Sequence, residues 1–188
     1  MTGRDTAGTP HAAVPPPVAM PRDGMPVEER RAVRVVVLDA DGRILLFHAN
    51  DVDNVDLGRW WELPGGGIDG EESVTDAAVR ELYEETGIRV DPAQVSAPTW
   101  RRDSTWRYRH ARRLQHEVVV TVRLAGRGLG IDTSGQLDYE REDYTGSRWW
   151  PVAEVCASAE RFYPGRLPEL LPIHLAGTPI DEPFEVWS

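Results

Sequence analysis

Three glutamates constrain this chain more than any other feature. Residues 66–88 read GGIDGEESVTDAAVRELYEETGI, and within them Glu81, Glu84 and Glu85 fall at i, i+3 and i+4. The segment carries helix signals at both ends. Ser73 stands at the N-cap with Asp76 three residues on, and Gly87 suits a left-handed C-cap. Helical spacing then puts the three carboxylates on one face, while Val74, Ala77, Ala78 and Leu82 supply apolar positions that must pack against something. Like charges about 6 Å apart repel by roughly 3 kcal/mol at an effective dielectric near 20. A chain that keeps such a triplet needs a compensating cation. All-oxygen ligands select a hard divalent ion, magnesium above others. The expected local plan is a short strand from Trp60 to Leu63, a Gly65-Gly66-Gly67 loop that lets backbone approach a ligand, and the acidic helix.

The spacing resembles the Nudix box: glycine, five residues, glutamate, seven residues, then Arg-Glu-apolar-any-Glu-Glu-any-Gly-apolar. Gly66, Glu72, Arg80, Glu81, Leu82, Glu84, Glu85, Gly87 and Ile88 fill every fixed position. With average composition a chance match is on the order of one in a billion per starting position, so the motif is specific. The lead-in from Trp60 to Gly66 also resembles that family. One position departs: Glu71 stands where glycine commonly precedes the first box glutamate, with Gly70 one place earlier.

The resemblance implies an α/β Nudix fold, a mixed β-sheet sandwiched between α-helices, and hydrolysis of a diphosphate linkage in a nucleotide-type small molecule with Mg2+, or Mn2+ as a substitute. It implies that Glu81, Glu84 and Glu85 ligate metal with help from the Gly66 carbonyl, and that Arg80 and Glu72 pair to hold the helix against the loop. Members of the family differ in their general base. Glu81 is the candidate inside the box; Glu117, at the start of the apolar run Val118-Val119-Val120, and Glu140 and Glu142, in a polar loop from Leu137 to Gly146, are the candidates outside it. The competing reading is a Nudix-fold nucleotide sensor or interaction module without turnover. Retention of every box carboxylate speaks for the hydrolase.

Substrate preference must come from outside the box. The segment from Trp100 to Arg113 is the richest: its arginines suit bidentate phosphate contacts and its rings suit base stacking. Trp100, Arg102, Arg107 and Arg109 are the candidates. A nucleoside triphosphate, oxidised or not, ADP-ribose and a nucleotide sugar all fit. The stretch from Arg148 to Leu171 resembles a high-GC bacterial subgroup with no single defined substrate.

The rest of the chain narrows the class. Its 188 residues suit one domain, with residues 29–176 as the hydrolase unit, a Pro/Ala-rich disordered tail over 1–28 and a C-terminal tail over 177–188. A formal net charge of -10 argues against general binding to nucleic-acid polymers. The lone Cys156 excludes an internal disulfide framework and suits the cytoplasm. No apolar run approaches the ~18 residues of a membrane span. All 21 basic residues are arginine, so no lysine serves in catalysis. A homodimer is the assembly that the resemblance allows.

Overall fold

The computed structural model describes residues 19–188, with backbone alone at 138–140. The expected disordered tail falls mostly on residues outside the described range. Its end does not: Pro26 O accepts the Arg112 amide at 2.8 Å, and the first strand, β1 (Val27–Leu38), begins at Val27.

β1 continues through a tight turn at Asp39–Gly42 into β2 (Arg43–Asn50) as a hairpin, with Leu38 opposite Ile44. The Asp39 carboxylate accepts the backbone amides of Asp41 and Arg43, both at 2.9 Å, which closes the turn. β3 (Arg59–Glu62) adds antiparallel to β2 and leads to the glycine loop and α1 (Val74–Thr86). β4 (Trp100–Tyr108) and β5 (Ala111–Arg123) form a second hairpin, and β5 runs parallel to β1 from Val27↔Arg112 to Leu38↔Arg123. α2 (Asp138–Asp143), β6 (Tyr144–Pro151) and α3 (Val152–Ala157) follow. The chain ends through β7 (Phe162–Tyr163), α4 (Leu167–Leu175), β8 (Ile180–Asp181) and β9 (Glu185–Val186). Among the described residues the sheet order is β7-β3-β2-β1-β5-β4-β8, with β6 also paired to β2 and β9 to β4.

Parallel and antiparallel pairs coexist, and helices cover both faces, so the mixed sheet between helices is observed. Alternation along β1 shows why. Val33, Val35 and Val37 point to the face where Ala77, Ala78 and Leu82 of α1 pack, while Val36 and Leu38 point to the face covered by Leu167, Leu170 and Leu171 of α4. A strand buried on both sides reads as a continuous apolar run, as Val35-Val36-Val37-Leu38 does.

Two elements differ from expectation. The 137–146 stretch is not a loop: it forms α2 and turns into β6. Residues 177–188 are not a free tail, since β8 and β9 pair parallel to β4 and extend the sheet. α4 holds two prolines: Pro168 lies in the first helical turn, where no N–H partner is needed, and Pro172 lies inside the helix.

Candidate active site

The glycine loop is fastened along the edge of β1. Val35 N donates to Pro64 O at 2.8 Å, Val33 N to Gly66 O at 3.0 Å, and Ile68 N to Arg31 O at 3.0 Å. One of its glycines is sterically required and a second keeps room for a carboxylate. Gly65 has φ +129°, and a Cβ there would meet Val33 O at 2.2 Å; a Cβ on Gly66 would lie 2.6 Å from both oxygens of Glu81. The loop therefore brings bare backbone against a carboxylate of α1.

α1 forms as its sequence specifies. Ser73 Oγ accepts the Asp76 amide at 3.1 Å, and Gly87 closes the helix at φ 70°. On its loop-facing side Arg80 holds three glutamates at once. Its Nε and Nη2 form a fork to Glu72 at 3.0 and 2.9 Å, and its Nη1 reaches Glu81 Oε1 at 2.8 Å and Glu84 Oε2 at 3.1 Å. Nη2 also donates to Gly67 O at 2.8 Å, tying helix to loop. The hydrogen bonds to Arg80 hold the Glu72 carboxyl below the usual carboxylate range. Glu85 is buried and accepts the Gly65 amide at 2.7 Å.

A second carboxylate meets Glu85 from the sheet. Tyr144 OH donates to Glu62 Oε1 at 2.8 Å and lies 3.2 Å from Glu85 Oε1, and Trp60 Nε1 donates to Glu62 Oε2 at 2.6 Å. Burial first, then the charges of Glu62 and Glu85, push the Tyr144 phenol far up, so it stays a donor.

Glu62, Glu81, Glu84, Arg80 and Gly66 line one trough of about 1060 Å³. Its rim is acidic at Asp51, Asp53, Glu142 and Asp143 and basic at the β4–β5 turn, where Arg107, Arg109, His110 and Arg113 stand. Asp143 differs from its neighbours. Burial, with Asp51, Glu62 and Asp53 nearby, pushes its carboxyl up to about 6 against a 3.3 Å bond from Val52 N.

The oxygen set fits a hard divalent cation in chemistry. Among the described residues no three carboxylate or histidine groups converge on one point; the Arg80 guanidinium lies between Glu81 and Glu84 and supplies the positive charge there. The Gly66 carbonyl accepts the Val33 amide, which leaves it one lone pair for any other partner.

The structure brings together most, but not all, of the expected site residues. Arg80, Glu81, Glu84, Gly66, Arg107, Arg109 and Glu142 line the trough, and Glu72 and Glu85 support them. Trp100 and Arg102 are elsewhere. Trp100 is fully buried in the apolar cluster under α4, with its Nε1 donating to Glu182 at 2.8 Å. Arg102 is fully buried between Glu117, Glu182 and Glu185. Glu117 lies mid-strand in β5, not at its start, and is caged by Arg34 and Arg102. Burial opposes its charge, yet the two arginines hold its carboxyl below the usual range, so it does not line the trough and is a poor proton acceptor. The Glu140 side chain lies outside the described residues. Glu62, Asp143, Tyr144 and Trp187 line the trough without having been singled out for it. Glu62 alone had a local signal, its place just before the glycine loop.

A model of the NUDIX domain matches residues 28–170. Relatives include the RNA pyrophosphohydrolases of Nitrobacter winogradskyi, 28% identical over 134 residues, and of Dinoroseobacter shibae, 28% identical over 152. The matches cover 67% and 76% of this chain and 78% and 89% of theirs. The solution structure of the E. coli ORF135 protein superposes with a TM-score of 0.53 at 21% identity, over 83% of this chain and 94% of that one. The NUDIX domain of Shewanella oneidensis NrtR, solved with ADP ribose, gives 0.53 at 21% identity, over 79% and 89%. These two likenesses are likenesses of fold.

Proposed function

The chain belongs to the Nudix family as a pyrophosphohydrolase, and we propose that it cleaves the diphosphate linkage of a nucleoside triphosphate or a nucleoside diphosphate-linked compound, with magnesium as the metal. The observation that carries this reading is the Arg80 cluster: one guanidinium against Glu72, Glu81 and Glu84, at the floor of a trough with room for a nucleotide.

Glu81, Glu84 and Glu85 are the residues we assign to metal binding. A bound magnesium offsets the diphosphate charge and polarises the phosphorus under attack. The remaining work falls to the chain. Arg80 and Glu72 fix α1 against the loop, so the carboxylates are placed before substrate arrives. Gly65 and Gly66 keep side chains out of the floor. Arg107 and Arg109, at the rim, can receive the outer phosphates. Water attacks one phosphorus, the bridging oxygen leaves with the other phosphate, and a base takes the water's proton. We assign that base to Asp143, which lines the trough and whose carboxyl burial and acidic neighbours push up to about 6, a range suited to proton transfer at neutral pH.

The relatives' name widens the substrate class. The net charge disfavours long contacts with a polyanion, but a 5′-triphosphate end of RNA presents the same linkage as a free nucleotide, and the arginines of the β4–β5 turn could meet the phosphates that follow. We therefore count such ends among the candidates. Turnover of GTP, 8-oxo-dGTP, ADP-ribose, UDP-glucose and a 5′-triphosphorylated RNA oligonucleotide, each with magnesium and with manganese, tests the reading. Release of phosphate, pyrophosphate or a nucleoside monophosphate from at least one is expected. Silence across the panel with both metals would sink it.

A further inference from the structure

The end of the chain, outside the residues that the NUDIX model matches, reaches into the trough. From Ile180 to Val186 it runs alongside β4 as a strap. Ile180 N donates to Thr99 O at 2.7 Å, Glu182 N to Arg101 O at 2.9 Å, and Trp187 N to Thr105 O at 2.8 Å. Side chains lock it further: Glu182 and Glu185 both pair with the buried Arg102, and Ser188 Oγ accepts the Arg107 amide at 2.9 Å. A strap held at so many points presents its last aromatic ring in a fixed place.

That ring is Trp187. It meets Trp60 edge-on with centroids 5.5 Å apart and Tyr163 at 5.1 Å, both near 76°, and the Arg161 guanidinium lies 3.9 Å from its centroid. Trp106 stands against Tyr163 at 6.3 Å. All four rings border the trough, Trp106 and Trp187 partly exposed and Trp60 and Tyr163 buried behind them, and Trp60 connects this aromatic corner to the acidic floor through its bond to Glu62. A diphosphate has no use for such a wall. An aromatic corner in the same trough as a phosphate-handling floor is what a nucleobase needs, a flat apolar body carried on a phosphorylated sugar.

We propose that the C-terminal strap completes a nucleobase seat, with Trp187 as its specificity-determining residue, Trp106 as the other wall, and the buried Trp60 and Tyr163 packed behind them. The seat rests on the reading of the trough as a nucleotide site and adds what recognises the base. The competing account is that Trp187 only covers the small apolar cluster of Ala49, Trp60 and Tyr163.

The two accounts separate by comparing ligands that share the phosphate but differ in the base. Affinities of the full-length chain for AMP, GMP, CMP and UMP are measured by calorimetry against ribose 5-phosphate, for wild type, Trp187→Phe and Trp187→Leu. Stacking on one aromatic ring is worth about tenfold in affinity. At least one nucleotide should bind wild type about tenfold more tightly than ribose 5-phosphate. Trp187→Leu, which keeps apolar bulk without a ring, should remove most of that ratio and leave ribose 5-phosphate unchanged. Trp187→Phe should retain it. A wild-type ratio near one, a ratio unchanged in Trp187→Leu, or an equal loss for ribose 5-phosphate overturns the seat. Turnover in the substrate panel is an independent reading: hydrolysis without a base ratio removes the seat alone, and a base ratio without hydrolysis removes the reaction alone.

Discussion

Two arginines clamp the same glycine loop, and their surroundings are built on opposite principles. Arg34 donates to Leu63 O at 3.2 Å and Gly65 O at 3.0 Å, while Arg80 donates to Gly67 O from the other side. Arg34 belongs to a closed network. Glu117 and Arg102 in it have no exposed side-chain surface, and Gln115, Tyr163, Glu182 and Glu185 take up the remaining polar positions. Arg80 belongs to an open cluster, 30% exposed, in which Glu84 is 46% exposed. In the first, two arginines are paired with carboxylates at positions almost wholly withdrawn from water; burial works against the charge of Arg34, but Glu117 and Glu62 hold its ionisation far up. In the second, carboxylates outnumber the cation and face a cavity. Charge that is paired and buried is scaffolding, whereas carboxylates open to a cavity are where a ligand ion belongs. Glu117 and Glu84, both glutamates close to the loop, therefore stand in opposite settings, one buried between arginines and one open to the trough.

The largest effect should come from breaking the closed network. Glu117→Ala removes the buried carboxylate that Arg34 and Arg102 share and should cost about 3–5 kcal/mol of stability, read by denaturant unfolding, with ligand affinity per folded molecule preserved. A loss under about 1 kcal/mol would mean that the network contributes little. Glu84→Gln is the converse. It should leave the unfolding midpoint in place and lower kcat by about 10²–10³-fold, the scale for losing one charge-stabilising group. Activity near wild type would remove Glu84 from the machinery. The third effect concerns Asp143. A base must be deprotonated to act, so kcat should fall as pH drops through about 6, the point to which burial and its acidic neighbours push this group. Asp143→Asn should lower kcat about a hundredfold and abolish that acid limb. An unchanged limb in the variant would transfer the role to another carboxylate, Glu142 first.

Legibility in the sequence followed the range of the interactions. Everything in Ser73–Gly87 depends on neighbours within a turn or two: the Ser73 cap, the Gly87 terminus, and Arg80 reaching Glu84 four residues on. Those were readable with no tertiary information. The β4–β5 hairpin was readable as strands but not as a site. Trp100 and Arg102 look as apt for substrate as Arg107 and Arg109, yet Trp100, Arg102, Ser104 and Trp106 alternate onto one face of β4. The first three of these end in the protein interior, and what lies across from them is set by residues far along the chain, Glu182 and Glu185 for Arg102 and Tyr163 for Ser104.

By itself the sequence determined the family, the acidic helix, the glycine loop that Glu81 abuts and the hydrolytic chemistry, because each rests on fixed local spacing. Only the tertiary structure decided which arginines meet solvent, that Glu117 is sealed, that Asp143 lines the trough, and that a supposed tail delivers Trp187. Those outcomes depend on strand register and on contacts spanning 80 residues or more, as from Arg34 to Glu117 and from Arg102 to Glu185. No local pattern encodes which distant side chain will be there.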